Sequence, residues 1–426
     1  MDYIDVTPTI HIISQPMDRK RVDVEIILTS GGSWFEGSQD RGKKHLLEHC
    51  ILSRTKVMNF NQLKDYTFRE NIYINAYTSK QTMGFEAGGH YSDFTKMIDL
   101  LVEVVLSPTF DQEDLDREKE TVLREIDQRR GDPNYQYGVD VAKIMYTPES
   151  VDNHEILGDP ELVSQTKIED FYRLHSQNLA TSHIYICVYG GGIDTGYIQS
   201  VVKKYTTDQE ALFSDTTIKN PVDLQLPSTF NDFTFLPIVH PFAHSHAEVT
   251  LYIDMPINWQ NDPILTMFNF LYLKNDGILY DRLRNELGLV YGIGAGFAYK
   301  QQLLCISFSA EIRNIEIIIQ EIKKTFADFD KNFKPNRFEE FKKIIYKKQE
   351  MAEDSSGSMI NFTLNFLKMY GKIQSYQDYT DRLVTVSTED IRETYNIVKT
   401  GLDTMKIVVN SKDKAIKNID QNKLSQ

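Results

Sequence analysis

Cysteine is scarce in this chain, with only Cys50, Cys187 and Cys305 among 426 residues. Scattered and odd in number, they build no disulfide framework and offer no paired thiolate ligands, so they read as core residues. Long apolar runs are missing too: none approaches the ~20 residues that span a bilayer, which excludes a membrane-spanning protein. Basic charge is outnumbered, 47 Lys and Arg against 61 Asp and Glu, for a formal net charge of −14. Nucleic-acid binders carry basic patches, whereas the cations here are interspersed with acids, so nucleic acid is not an expected partner. The N-terminus, Met1-Asp2-Tyr3-Ile4-Asp5, lacks the basic and apolar regions of a secretory signal and the Arg-rich character of a transit peptide. The chain therefore reads as cytoplasmic.

What is present is an ordinary globular composition, 41% hydrophobic and 25% charged, on a chain long enough for two or more domains. Alternation at Val22, Val24, Ile26 and Leu28 predicts a half-buried strand that runs into the turn-like Gly31-Gly32-Ser33. A helix follows over 42–53, then strand-like runs at 71–77 and 82–87. Next come a helix over 93–106, closed by Pro108, and a helix over 113–130 that stops at Gly131-Asp132-Pro133. Ile184 to Tyr189 reads as a further strand ahead of Gly190-Gly191-Gly192, a turn without the spacing of a dinucleotide site. Residues 207–232 mix Asp, Ser, Thr, Asn and two prolines without periodicity and read as a linker. Beyond it the same order returns: a strand at Val249, Leu251 and Ile253, strands at 290–298 and 303–312, and a helix over 314–328. The expectation is an α+β fold of two tandem homologous domains, each a mostly antiparallel sheet with helices packed on one face. The expected boundaries are 1–207, a linker at 208–232, and 233–426.

The segment that carries chemistry is His45-Leu46-Leu47-Glu48-His49. Helix positions four apart share a face, so His45 and His49 can offer imidazole nitrogens to one ion while Glu48 points nearby. Zinc takes neutral imidazole readily and keeps a position open for water in hydrolytic sites. A third ligand is still required. On the helix over 113–130, Glu118 and Glu125 lie only ~20° apart in projection and border the apolar stripe of Leu115, Val122 and Ile126. The plain alternative is a chance motif whose histidines are merely hydrogen-bonded helix residues. His240, His244 and His246 form a second cluster, but it precedes a strand, has no acid at helical spacing and reads as a loop.

This pattern resembles the pitrilysin-type inverzincins, the zinc peptidases with an inverted HxxEH motif, in the short two-domain form of the mitochondrial processing peptidase subunits. The resemblance implies that His45 and His49 bind zinc and that Glu48 activates a water. It implies Glu125 as the third ligand, because that family places it 76 residues past the second histidine (125 − 49), and Glu118, seven residues earlier, as an assisting carboxylate. Asn75-Ala76-Tyr77-Thr78 is similar to the edge strand that adds substrate as an extra strand, and His154 to Pro160 to a Gly-containing segment. Leu283 to Tyr291 is similar to a second-half motif in which Arg284 and Tyr291 contact substrate. Lys43 and Lys44 stand where the family usually has small or apolar residues, and Cys50 where an apolar one is common.

The resemblance implies a zinc-dependent endopeptidase that hydrolyses peptides or unfolded segments held as an extended strand. The competing class is a catalytically silent partner or scaffold subunit, which the retained His45, Glu48, His49 and Glu125 disfavour. Family members of about twice this length enclose substrate between two halves, each resembling this whole chain. A homodimer, or a heterodimer with a paralogous subunit, is therefore expected.

Overall fold

The computed structural model describes residues 1–218, 229–274 and 277–425. Two compact units emerge, each a sheet with helices, in agreement with the expected α+β class. One comprises Met1–Asp132, Glu149–Pro227 and Ala352–Ile373, the other Pro133–Pro148, Ser228–Met351 and Gln374–Gln426. The units therefore differ from the continuous division expected at 207 and 233, because each takes one segment from the opposite half of the sequence. Burial explains both exchanges. The helix Pro133–Met145 buries Met145 with Phe233, Ile238 and Val408 of the second unit. The helix Ser356–Tyr370 packs on strands of the first sheet. Within the expected linker, residues 219–228 lie outside the described residues; Glu210–Phe213 is a helical turn, and Phe230 pairs with Tyr146.

The first sheet holds β1 (Asp2–Asp5), β2 (Ile10–Pro16), β3 (Arg21–Leu28), β4 (Tyr73–Thr78), β5 (Met83–His90) and β6 (Ile184–Gly190). Their order is β1-β2-β6-β3-β5-β4, antiparallel except where β2 meets β6. β6 is buried along its whole length, and β4 closes one edge, pairing among the described residues only with β5. α1 (Lys43–Ile51), α2 (Phe60–Arg69) and α3 (Phe94–Leu106) pack on these strands, and α4 (Gln112–Arg130) packs on α1. α2 opens with an Asn59–Gln62 capping box, and α4 begins at Asp111, whose side chain accepts from Glu113 N at 2.9 Å.

β3 departs from the half-buried expectation, since Val24 to Leu28 are all buried. α3 covers the face of Val22 and Gly89, where Met97 approaches Gly89. The helix Ser356–Tyr370 covers the opposite face, joining Thr363 Oγ1 to Tyr189 Oη at 2.7 Å. Tyr189 pairs with Asp23 and so shares its face.

The second sheet is β7 (Phe235–Val239), β8 (Ala247–Asp254), β9 (Gly292–Ala298), β10 (Leu303–Ala310) and β11 (Lys406–Ser411), in the order β7-β11-β8-β10-β9. β8 keeps the alternation read from the sequence, with Ala247, Val249, Leu251 and Ile253 buried. All three cysteines are free, Cys50 and Cys187 in the core and Cys305 half-buried. Among the described residues no helix is long and apolar enough to cross a membrane.

Candidate active site

α1 is buried nearly all round, which a helix tolerates only if its polar groups find partners. Its entry is fixed by two glycines. Gly42 (φ +87°) and Gly158 (φ +69°) sit back to back, so close that a Cβ on Gly158 would lie 2.2 Å from Gly42 N. Gly158 belongs to the segment matched to the Gly-containing motif, and this contact gives it a physical role. The Glu36 carboxylate then accepts from the backbone N–H groups of Gly42 at 3.0 Å and Lys44 at 2.8 Å, satisfying donors that a helix start leaves open. Lys44, itself buried, donates from Nζ to Ser30 O at 2.8 Å. Lys43 lies 3.4 Å from Asp40 and 3.5 Å from Asp170. The two lysines that depart from the family pattern are thus anchors of α1 to its surroundings.

From this helix His45 and His49 project together, their rings edge to face with centroids 4.9 Å apart. α4 packs beside α1 and brings both acids in, as their shared face predicted. His45 Nε2 stands 3.7 Å from Glu125 Oε2, and one ligand atom from each of His45, His49 and Glu125 lies within 4.8 Å of the others. His49 Nδ1 meets Glu118 Oε2 at 3.2 Å, which leaves Nε2 as the nitrogen for a metal. Glu118 is in turn held by Arg117 Nε at 3.1 Å, and Arg117 by Asp114 Oδ1 at 2.6 Å. Two imidazoles and a carboxylate around a common point form a donor set that fits zinc. His45 Nδ1 is buried without a hydrogen-bond partner, so the ring as it stands depends on an interaction at its other nitrogen. Among the described residues this is the one group of three such side chains placed to hold a metal ion. The His240–His246 loop forms none.

Glu48 is 7% exposed and accepts a hydrogen bond from Thr78 Oγ1 at 3.2 Å. Burial, reinforced by the Glu125 and Glu118 carboxylates, pushes its carboxyl up to about 7 against the opposing pull of His49 and Thr78. A carboxylate tuned to that range can both accept and return a proton near neutrality. Burial and the neighbouring His49 lower His45 to about 4, which keeps its imidazole neutral and available as a ligand. For Glu118 burial works against ionisation, but the bonds from His49 and Arg117 outweigh it and hold the carboxyl below its ordinary value.

Asn75, Ala76 and Tyr77 lie on β4, the edge strand, with Asn75 exposed. Thr78, at the end of the same strand, joins that edge to Glu48. Arg284 and Tyr291 belong to the second unit. Arg284 Nη1 donates to Val290 O at 2.8 Å, and Tyr291 is 57% exposed beside the His246 ring, centroids 5.3 Å apart. Sequence reasoning missed Thr78 as a partner of Glu48, Glu36 as the cap of α1, and Arg117. Only Thr78 had a signal available, since it closes the motif already singled out.

Residues 13–153, which hold His45, Glu48, His49 and Glu125, match the model described as insulinase (peptidase family M16). Residues 166–345, which hold Arg284 and Tyr291, match the M16 inactive domain. A protein of Rickettsia bellii named as an uncharacterized zinc protease is 20% identical over 391 residues, 90% of this chain and 91% of that one. A probable mitochondrial-processing peptidase subunit beta of Arabidopsis thaliana is 25% identical over 201 residues, 47% of this chain and 36% of that one. Among solved structures, a protease from Helicobacter pylori shares the fold at a TM-score of 0.72 and 14% identity, covering 96% of this chain and 99% of its own. The periplasmic protease PqqL from Escherichia coli does so at 0.71 and 12% identity, over 95% of this chain and 45% of that one. With both of its halves matched and the HxxEH helix, Glu118 and Glu125 brought to one place, the chain belongs to the M16 (insulinase) family of peptidases.

Proposed function

We propose that the chain is a zinc-dependent endopeptidase acting on peptides or unfolded segments bound as an extended strand. The observation that carries this reading is the convergence of His45, His49 and Glu125 within 4.8 Å, with the buried Glu48 on the same helix turn. His45, His49 and Glu125 would hold the zinc, which when bound supplies an activated water and polarises the scissile carbonyl. Glu48 takes the proton of the attacking water and delivers it to the leaving amine nitrogen. Glu118 orients His49 through Nδ1. β4 offers unpaired backbone groups along its outer side, so a peptide can add there as a seventh strand; a folded protein would have to open first. Arg284 and Tyr291 supply further substrate contacts. The free cysteines support a reducing compartment such as the cytoplasm.

Metal analysis and peptide hydrolysis together test this. Purified chain is expected to carry about one zinc per molecule, to lose hydrolysis to a chelator and to regain it on remetallation. Glu48→Gln should retain zinc while hydrolysis falls by about 10²-fold or more, because an amide can neither accept nor return the proton. Absence of zinc after remetallation, or equal retention by His49→Ala, would sink the metal assignment. A zinc-loaded chain that cleaves nothing in a diverse peptide library would favour the silent-subunit reading.

A further inference from the structure

β3 alternates apolar residues on one face, and on its other face it buries a carboxylate: Glu25 is 4% exposed. A lone carboxylate in such a place is costly, so its partners matter. Register places Glu25 between Cys187 on β6, a weak donor, and Glu86 on β5, a second acid. The donor comes from one strand further out. Tyr77, on the edge strand β4, crosses above Gly84, where a Cβ would lie 2.4 Å from its ring, and its Oη donates to Glu25 Oε1 at 2.6 Å. From above the sheet, Lys368 on the helix Ser356–Tyr370 donates from Nζ to the same Oη at 3.1 Å, with its ammonium 5.3 Å from the ring centroid. Its backbone carbonyl accepts from Gln81 Nε2 at 3.4 Å, in the turn that joins β4 to β5. Lysine, phenol and carboxylate thus form one chain that runs from a half-buried ammonium to a buried acid.

Consecutive strand residues point to opposite faces. Tyr77 is therefore secured on one side of the sheet by Glu25 and Lys368, while Thr78 is secured on the other by its bond to Glu48. The end of β4 nearest the candidate metal site is pinned from both faces, and its outer backbone groups are held in one place relative to Glu48. We propose that Lys368 and Glu25 act through Tyr77 as positioning residues for substrate, fixing the edge of β4 on which the peptide backbone docks. The inference rests on the peptidase reading above and adds residues that no part of the HxxEH pattern contains. Lys368 comes from a segment more than two hundred residues away in sequence, so this edge is completed only when the helix Ser356–Tyr370 is in place.

The test is a split between binding and turnover in the full-length, zinc-loaded chain. Tyr77→Phe removes only the hydroxyl, and Lys368→Met keeps the length of the stem while removing the ammonium. Each is expected to raise KM for a long peptide by about tenfold, the scale of one charge-assisted hydrogen bond, with kcat within about twofold and zinc content unchanged. Peptide affinity measured in the Glu48→Gln background should fall by a similar factor, and this measurement decides the positioning role whether or not the wild-type chain turns over. Because each single change strands one buried charge, the double variant Glu25→Gln/Lys368→Met should bind peptide better than Lys368→Met alone. Folded variants of unchanged KM and affinity, even if their melting temperatures drop, would overturn the proposal and leave the triad a purely structural feature. A fall in kcat with no change in affinity would overturn it as well. Failure of the wild-type chain to bind zinc or cleave peptide would instead count against the peptidase reading.

Discussion

His49 illustrates how much of this site is decided one atom away from the candidate metal position. Its Nδ1 is engaged by Glu118, Glu118 by Arg117, and Arg117 by Asp114, while the Arg117 guanidinium also lies 3.9 Å from the centre of the Phe60 ring. Such a relay fixes the tautomer and the ring plane together, and losing the carboxylate frees both. Glu118→Ala is accordingly expected to weaken zinc affinity about 10- to 100-fold, measured by competition with a chromogenic chelator, with the fold intact by circular dichroism. Wild-type affinity in that variant would show that His49 needs no orientation from α4. The ligand pair and Glu118 were readable from spacing because helix geometry converts intervals of four and seven into a shared face. Glu36 was not, because no spacing rule encodes its approach to α1; Arg117 reaches Asp114 at helical spacing, yet nothing in the sequence marks it as the partner of Glu118; Thr78 closed a motif already singled out, but its bond to Glu48 joins a strand to a helix.

At the scale of elements, helix starts and ends carry much of the argument. α1 is entered through paired glycines with positive φ, and alanine at Gly158 would meet both the left-handed penalty of at least about 1 kcal/mol and a backbone clash with Gly42. Gly158→Ala is expected to lower the melting temperature and to reduce zinc occupancy in parallel, since Gly42 opens the helix that carries both histidines. A variant with normal zinc content would detach this contact from the site. At the far end of α3, His175 Nε2 donates to Val105 O at 2.8 Å, one of the carbonyls that a helix end leaves without an internal partner. Burial lowers this imidazole from 6.5 to about 4 against the pull of that bond. The folded chain thus keeps His175 neutral at pH values where the unfolded chain binds a proton. Its contribution is fully present above pH 6.5 and is lost as pH falls toward 4, by at most about 3 kcal/mol. His175→Gln, which keeps a donor but cannot titrate, should flatten the loss of denaturant resistance between pH 7 and pH 5; an unaltered slope would assign that loss to other groups. Elements with one clean period, such as β8, α3 and α4, were legible because one face of each is buried. β3 was only half legible, because the helix that covers its second face stands at the other end of the sequence.

For the whole molecule the same non-locality recurs, as two segments each complete the unit built mainly from the other half of the chain. The repeated strand and helix order was visible in sequence; the exchange of 133–148 and 352–373 was not, since amphipathic helices do not reveal which sheet they cover. The last expectation concerns assembly. The candidate metal ligands His45, His49 and Glu125 lie in one unit, and Arg284 and Tyr291 lie in the other. We propose a dimer of this chain in which His45, His49 and Glu125 of one copy work with Arg284 and Tyr291 of its partner. A homodimer would then carry two equivalent sites; a paralogous partner is the alternative. Mixing two defective chains separates these arrangements. Glu48→Gln lacks the proton carrier and Arg284→Ala lacks the arginine, so each homodimer is expected to be nearly inactive. In a mixed dimer with sites formed in trans, one site combines an intact Glu48 with an intact Arg284 and the other carries both defects. At full exchange of equal amounts about half of the dimers are mixed, so activity should recover toward a quarter of the wild-type level, while a tracer-labelled subunit reports the exchange itself. An active wild-type chain that sediments as a monomer at assay concentration, or proven exchange without any gain in activity, would require each chain to complete its site alone.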